Sequence, residues 1–370
     1  MKILLLDWAL PKLLKDSDSI SGGAASEWYS WIKGITANGH EFVLLTFKGA
    51  NEYIGKKLEF DVIESYDANT GINKLSWFYY KFPSLFSAIK NSNPDLIVTM
   101  CANKFVGTLA LIAKILRIPF VFRVANDPDV DERVKSVLGF AHYLFYRFGL
   151  KLTKYILAQN SYQYERIKSD FPNKFVINLP VPYLIEDRRL PTSKNEREYV
   201  AWVANFRYQK NLKALLDVAT ALPGIDFRVA GLAQPNMDAE TAEAVKNLKT
   251  LKNVEFVGYI PRSGMNDFYR KAIVLLNTSR WEGFSNAFLE AWASGVPVVT
   301  TQNVNPDNLS PRFGLGVVAE NYTDLPNKIL EMINHPEYTD FIFRTHNYVK
   351  ENHDPIKLTN VLIDFLTKNK

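Results

Sequence analysis

Short β-branched or leucine-rich runs recur along the chain, and between them lie longer stretches whose apolar residues return at helical spacing. This alternation predicts parallel strands joined by crossover helices, an α/β protein. Lys2 to Leu6 reads as the first strand and Ala24 to Ala37 as a helix ended by Gly39. Phe42 to Thr46, Leu96 to Met100, Phe120 to Val124 and Ile156 to Gln159 continue the sheet.

From Leu179 to Glu198 the rhythm fails, and Pro180, Pro182, Pro191 and the run Glu186-Asp-Arg-Arg189 give the composition of a linker. The alternation restarts with Val200 to Ala204, Phe227 to Ala230, Val254 to Val257, Ile273 to Leu276 (a strand whose wider reading runs from Ala272 to Ser279), and Val296 to Thr300. The reading is therefore residues 1–185 as an N-terminal domain, 186–345 as a second doubly wound domain, and 346–370 as a C-terminal helix returning toward the first. Ligands bind outside the carboxyl ends of the strands in such sheets, so two of them facing across a cleft would supply two half-sites.

A length of 370 residues supports two domains with a core each, and 47% hydrophobic with 22% charged residues is the balance of an ordinary folded protein. The net charge of +5 is too small for a dedicated nucleic-acid binder and compatible with an anionic ligand or membrane surface. Cys101, the single cysteine, excludes an internal disulfide, and the five histidines show no metal spacing. The apolar start Met1 to Leu6 is too short for a signal-peptide core, and no apolar run is long enough to cross a bilayer. A cytoplasmic protein is expected, with any membrane contact peripheral.

The segment Glu282-Gly-Phe-Ser-Asn-Ala-Phe-Leu-Glu290 lies between two predicted strands and forms one loop and one helix, closed by Gly295 and Pro297. Ser285 or Asn286 caps the helix, which leaves Glu282 in the loop and Glu290 about one turn inside. N–H groups from Phe284 to Ala287 would sit at the positive end of the helix dipole, a place for a phosphate, with the two glutamates accepting from sugar hydroxyls. Taken alone, a capped helix with a surface glutamate explains the same residues.

The run from Glu282 through Val299 closely resembles the Glu-x7-Glu motif of retaining glycosyltransferase family four, whose fold is GT-B: two Rossmann-like doubly wound domains. The resemblance implies that Glu290 holds the nucleotide ribose, and that Glu282 with Gly283, Phe284, Ser285, Asn286 and Ala287 holds the donor sugar and diphosphate. It implies a nucleoside diphosphate sugar as co-substrate, no metal or other cofactor, and a glycan or lipid-linked acceptor in surface polysaccharide synthesis. Arg207 and Lys210, in a strand-to-helix loop, are similar to the family's phosphate clamp and would stabilise the departing diphosphate, although Asn205 stands where a glycine is usual. Gly22 and Gly23, in Ser21-Gly22-Gly23-Ala24, resemble its Gly-Gly loop near the donor phosphates. Asn126 ends a strand where many members carry a histidine; an amide hydrogen-bonds a hydroxyl but carries no proton near neutral pH. Gly231 resembles a turn lining the site, and Tyr259 and Ile260 resemble the loop that holds the base.

Other readings stay open at this stage. Asp127 and Asp129 fit caps of the next helix, and Asp16-Ser-Asp18, Asp127-Pro-Asp129 and Asp129-Val-Asp131 match the short Asp-x-Asp pattern of metal-dependent transferases. A sugar-nucleotide epimerase of the same fold and a non-catalytic binding module are the alternatives in function. The aromatic and basic segments Trp77 to Phe82 and Phe140 to Phe148, the latter followed by Lys151 and Lys154, read as buried helix faces, with docking on anionic lipid as the alternative.

Overall fold

The computed structural model describes residues 1–8, 10–11, 23–50, 58–67, 69–72, 75–186, 189–191, 193–234 and 237–369. The chain forms two compact units, Met1–Leu184 with Asp354–Lys370, and Ile185–His353.

The first unit is built on parallel strands β1 (Lys2–Leu6), β2 (Glu41–Thr46), β3 (Asp61–Glu64), β4 (Leu96–Met100), β5 (Phe120–Arg123), β6 (Tyr155–Ala158) and β7 (Phe175–Asn178), in the order β3-β2-β1-β4-β5-β6-β7. The central strands are apolar at successive positions because both faces are covered. Leu4 and Leu6 point into a cluster with Val43, Ile97, Phe122 and Ile156. Ile3 and Leu5 point the other way, to Phe42, Leu44, Val98 and Val121. On that second face the helix Gly23–Ala37 meets the C-terminal helix Pro355–Lys368, and Leu358, Leu362 and Leu366 join Trp28, Trp31 and Ile35. Gly34 permits the approach, since a Cβ there would lie 2.2 Å from the Pro355 carbonyl oxygen.

A buried ion pair ties this helix to the sheet. Arg123 Nε donates to Glu27 at 2.9 Å, and the same guanidinium reaches the carbonyls of Ala158 and Leu179. Trp31 and Gln159 donate to the two Glu27 oxygens, so the charge is enclosed by partners.

The second unit has β8 (Tyr199–Val203), β9 (Phe227–Ala230), β10 (Val254–Gly258), β11 (Ala272–Leu276), β12 (Val298–Thr301) and β13 (Gly316–Ala319), all parallel, in the order β10-β9-β8-β11-β12-β13. This repeats the 3-2-1-4-5-6 order of a doubly wound sheet, with the chain reversing direction across the sheet between β8 and β11. Leu212, Leu215 and Val218, from the helix Leu212–Ala221, pack with Trp202, Val274 and Leu276 on one face.

The structure corrects four expectations. β11 ends at Leu276, the shorter of the two bounds read, and not at Ser279, because the Asn277 side chain accepts from the Ser279 N–H and turns the chain. The edge strands β3, β7 and β13 are additional. The C-terminal segment is not one helix from 346: Tyr338–Asn352 ends in the second unit, and a new helix starts after Asp354, whose carboxylate accepts from the N–H groups of Ile356 and Lys357. Finally, Phe78, Tyr79, Phe140, Leu144 and Phe148 are exposed, not buried. The helix Phe140–Leu152 packs through Tyr146, Gly149 and Leu150, and Gly149 lies so close to Gly107 of the helix Lys104–Leu116 that Phe140, Leu144 and Phe148 are left outward.

Candidate donor site in the second unit

The loops after β8 and β11 leave neighbouring strands at the reversal point, where a doubly wound sheet opens a crevice. The first loop carries Arg207, then a short turn over Tyr208–Lys210. Asn211, in the left-handed region at φ 54°, starts the next helix and accepts from the Ala214 N–H. The second loop carries Asn277 to Ser285 and ends at the helix Asn286–Ala293.

These loops are bound to each other. Thr278 Oγ1 donates to the Lys210 carbonyl at 2.8 Å and itself accepts from Trp202 Nε1 at 2.9 Å. The Arg280 N–H donates to the Gln209 carbonyl at 2.8 Å, and Arg280 Nε donates to the Tyr208 carbonyl at 3.0 Å. Arg280 also pairs with Glu240 and stacks on the Tyr208 ring, 4.0 Å from its centroid.

Between the loops Lys210 pairs with Glu282, whose side chain is almost fully buried. Ser279 Oγ donates to Glu282 Oε1 at 2.7 Å, and Gln209 Nε2 donates to Oε2 at 3.2 Å and to the Trp281 carbonyl at 2.8 Å. The two residues expected to serve sugar and phosphate therefore meet directly. Arg207 does not join them. It is exposed, and among the described residues its side chain makes no hydrogen bond or ion pair.

Gly283 and Phe284 complete the loop. Phe284 faces inward against Trp292 and His353, so only its backbone can serve a ligand. Ser285 is the extended N-cap of the following helix but makes no side-chain cap, leaving the first turn, at Asn286 and Ala287, uncapped by it. Glu290 lies one turn further on. Tyr269 Oη donates to its Oε2 at 3.2 Å. Burial pushes the Glu290 carboxyl up to about 7, against the pull of the Arg262 charge and the tyrosine hydroxyl.

Gly231 and the loop holding Tyr259 and Ile260 follow β9 and β10. The Gly231 N–H donates to the Gly258 carbonyl at 2.8 Å. At φ +136°, and with a Cβ position 1.9 Å from the Ala204 carbonyl oxygen, residue 231 admits only glycine. Its place is explained by backbone packing at the strand ends.

Three predicted residues, Gly22, Gly23 and Asn126, fall in the first unit's stretch of chain, two of them among the described residues. Gly23 opens the helix Gly23–Ala37, and Gly22, with Asp16 and Asp18, lies outside the described residues. Asn126 follows β5 in extended conformation, and its N–H donates to the Asp129 carboxylate at 3.1 Å. Asp129 does cap this turn; Asp127 instead accepts from the side-chain amides of Asn160 and Gln163, at 3.0 Å each. Burial pushes both carboxyls up to about 6. Gln209, Ser279, Tyr269 and Arg262 were not singled out from the sequence. Their only signal there is adjacency: Gln209 precedes Lys210 and Ser279 precedes Glu282 by three residues.

Residues 185–351 match the family described as Glycosyl transferases group 1, nearly the same span as the second unit. The amylovoran biosynthesis glycosyltransferase AmsD of Erwinia amylovora is 21% identical over 229 residues, 61% of this chain and 64% of that protein, so the match spans just under two thirds of that relative. Sucrose-phosphate synthase from Thermosynechococcus elongatus superposes with a TM-score of 0.78 at 15% identity, covering 100% of both chains. Anabaena HepE, solved in complex with UDP and glucose, gives 0.76 at 15%, again over 100% of both. At these identities the solved structures speak for the fold, which is GT-B.

Proposed function

Through residues 185–351 the chain belongs to the glycosyl transferases group 1 family, and on that footing we propose that it is a retaining transferase using a nucleoside diphosphate sugar. Its acceptor is a glycan or lipid-linked saccharide in surface polysaccharide synthesis. The observation that carries this reading is the Lys210–Glu282 pair at the reversal point of the second unit's sheet, in the loop that leads into the helix carrying Glu290. It combines a cation for a diphosphate with carboxylates for hydroxyls in the crevice where such sheets take nucleotides. The UDP bound by Anabaena HepE is consistent with a donor of this class.

In this scheme Glu290 accepts from the ribose hydroxyls, Tyr259 and Ile260 hold the base by their backbone, and Gly231 lines the turn. Glu282, Gly283, Phe284, Ser285, Asn286 and Ala287 hold sugar and diphosphate. An acceptor hydroxyl attacks the anomeric carbon on the face the diphosphate leaves; the carbon–phosphate oxygen bond breaks with its electron pair on the diphosphate, which takes the hydroxyl proton. Arg207 and Lys210 stabilise the negative charge that develops there, with no metal required. On the family resemblance alone we assign donor contacts to Gly22, Gly23 and Asn126, Asn126 as a hydroxyl partner, and we assign a peripheral anionic-membrane contact to the first unit's exposed aromatic helix.

A thermal-shift panel of nucleoside diphosphate sugars, with EDTA present, tests this. A donor that binds only the folded protein at 100 times its Kd stabilises it by about 2.7 kcal/mol. One class of nucleotide should raise the melting temperature, and turnover should give a product joined to acceptor with the anomeric configuration of the donor. Release of an isomerised or free sugar without acceptor would instead identify an epimerase, and absence of any nucleotide shift would overturn the proposal.

A further inference from the structure

Glu282 has more donors than neutralising Lys210 demands. An ionised carboxylate offers about four acceptor positions. Here Oε1 takes Lys210 and Ser279 Oγ, and Oε2 takes Gln209 Nε2. Both oxygens are thus held, so the carboxylate plane is set as well as its charge, and about one acceptor position is left for a ligand hydroxyl.

These contacts are not needed to join the loops. The Thr278 hydroxyl to Lys210 carbonyl bond, the Arg280 N–H to Gln209 carbonyl bond and the Arg280 guanidinium on the Tyr208 carbonyl already do so. Ser279 is fixed by its own backbone, its N–H on Asn277 Oδ1 at 3.0 Å and its carbonyl under the Tyr322 hydroxyl at 3.3 Å. Beyond the Gln209 amide's bond to the Trp281 carbonyl at 2.8 Å, what that amide and the Ser279 hydroxyl add is the orientation of Glu282.

We infer that Gln209 and Ser279 are positioning residues that aim Glu282 at a hydroxyl of the donor sugar, and so set how far a sugar nucleotide is preferred over its bare nucleoside diphosphate. The inference rests on the donor-site reading of Glu282. It predicts a loss confined to ligands that carry the sugar, because the bare diphosphate meets Lys210 and the helix start but offers Glu282 no hydroxyl.

Calorimetry with matched pairs, UDP and UDP-glucose first and then GDP- and ADP-sugars with GDP and ADP, reads this directly. For the pair in which wild type prefers the sugar nucleotide, Ser279→Ala and Gln209→Ala should each lower that preference by about tenfold. Affinity for the bare diphosphate should change less than about twofold, and Ser279→Thr, which keeps the hydroxyl, should restore the preference. Melting curves establish that each variant is folded. Equal losses for both members of the pair, no loss in either variant, or no sugar-dependent preference in wild type would each overturn the inference while leaving nucleotide binding intact. If wild type bound neither member of any pair, the proposed function would fall with it.

Discussion

Glu290 shows how a single group's surroundings become a measurable property. Burial raises its carboxyl to about 7, so a large fraction is neutral just below neutral pH; in the role proposed for it, ribose hydroxyls donating to both of its oxygens need the ionised form, because protonation turns one oxygen into a donor. Nucleotide binding should therefore strengthen about tenfold between about pH 6 and 8, the change in ionised fraction of one group titrating near 7, and then level off. The stability contribution has the opposite sense. A carboxyl raised in the folded state stabilises below the ordinary carboxylate range and loses that contribution as pH climbs through about 7. Glu290→Gln, followed by calorimetry with nucleoside diphosphate, should flatten the binding profile; a tenfold rise persisting in the variant would refute the assignment. Glu282, Glu290 and Lys210 were singled out in the sequence through the family resemblance of the two segments that carry them, since spacing alone is equally explained by a capped helix and a solvated basic turn. Gln209 and Tyr269 were not, since a neutral side chain announces nothing until the fold brings a carboxylate to it. Arg207 and Lys210 read as one pair of phosphate-binding cations in the sequence, yet of the two only Lys210 meets Glu282.

At the scale of elements, the helix Phe140–Leu152 has two faces with different work. Tyr146, Gly149 and Leu150 face the unit, while Phe140, Leu144 and Phe148 recur every four residues on the outside, with Phe140 63% exposed. Between positions 133 and 154 the chain carries Arg133, Lys135, Arg147, Lys151 and Lys154 and no acidic residue. Arg133 and Arg147 pair with Asp131 and Asp170, and the three lysines have no acidic partner among the described residues. An apolar ridge bordered by unpaired cations is the pattern of an interfacial helix. The protein should sediment with vesicles containing phosphatidylglycerol, more weakly as salt rises, and Phe140→Ser with Phe148→Ser should reduce binding by about tenfold. Equal binding to pure phosphatidylcholine would remove the electrostatic part of this argument. The aromatic spacing was visible in the sequence, but its exposure was not, because the Gly107–Gly149 approach that turns the ridge outward is a tertiary contact.

For the whole molecule, two sheets share the order 3-2-1-4-5-6, and the alternation of runs disclosed their central strands. It missed β3, β7 and β13, short strands at the sheet margins with weaker burial patterns than the centre. The units also differ in how the chain builds them. Residues Ile185–His353 are continuous, whereas the first unit is completed by Asp354–Lys370 from the far end. Ending the chain at His353 removes Leu358, Leu362 and Leu366, all buried against Trp28, Trp31 and Ile35. Each buried leucine contributes about 1.5–3 kcal/mol, so the loss approaches the whole stability of a typical domain of about 5–15 kcal/mol. The truncated protein should show the first unit melting far below wild type or not folding. Every residue of the candidate donor site within the second unit would remain, so that unit should keep its nucleotide-induced rise in melting temperature. Hydrogen exchange resolves the two: protection should collapse in β1 to β7 and persist in β8 to β13. Uniform loss across both sheets would mean that the second unit's stability depends on the first, and that the chain folds as one cooperative body despite its two cores.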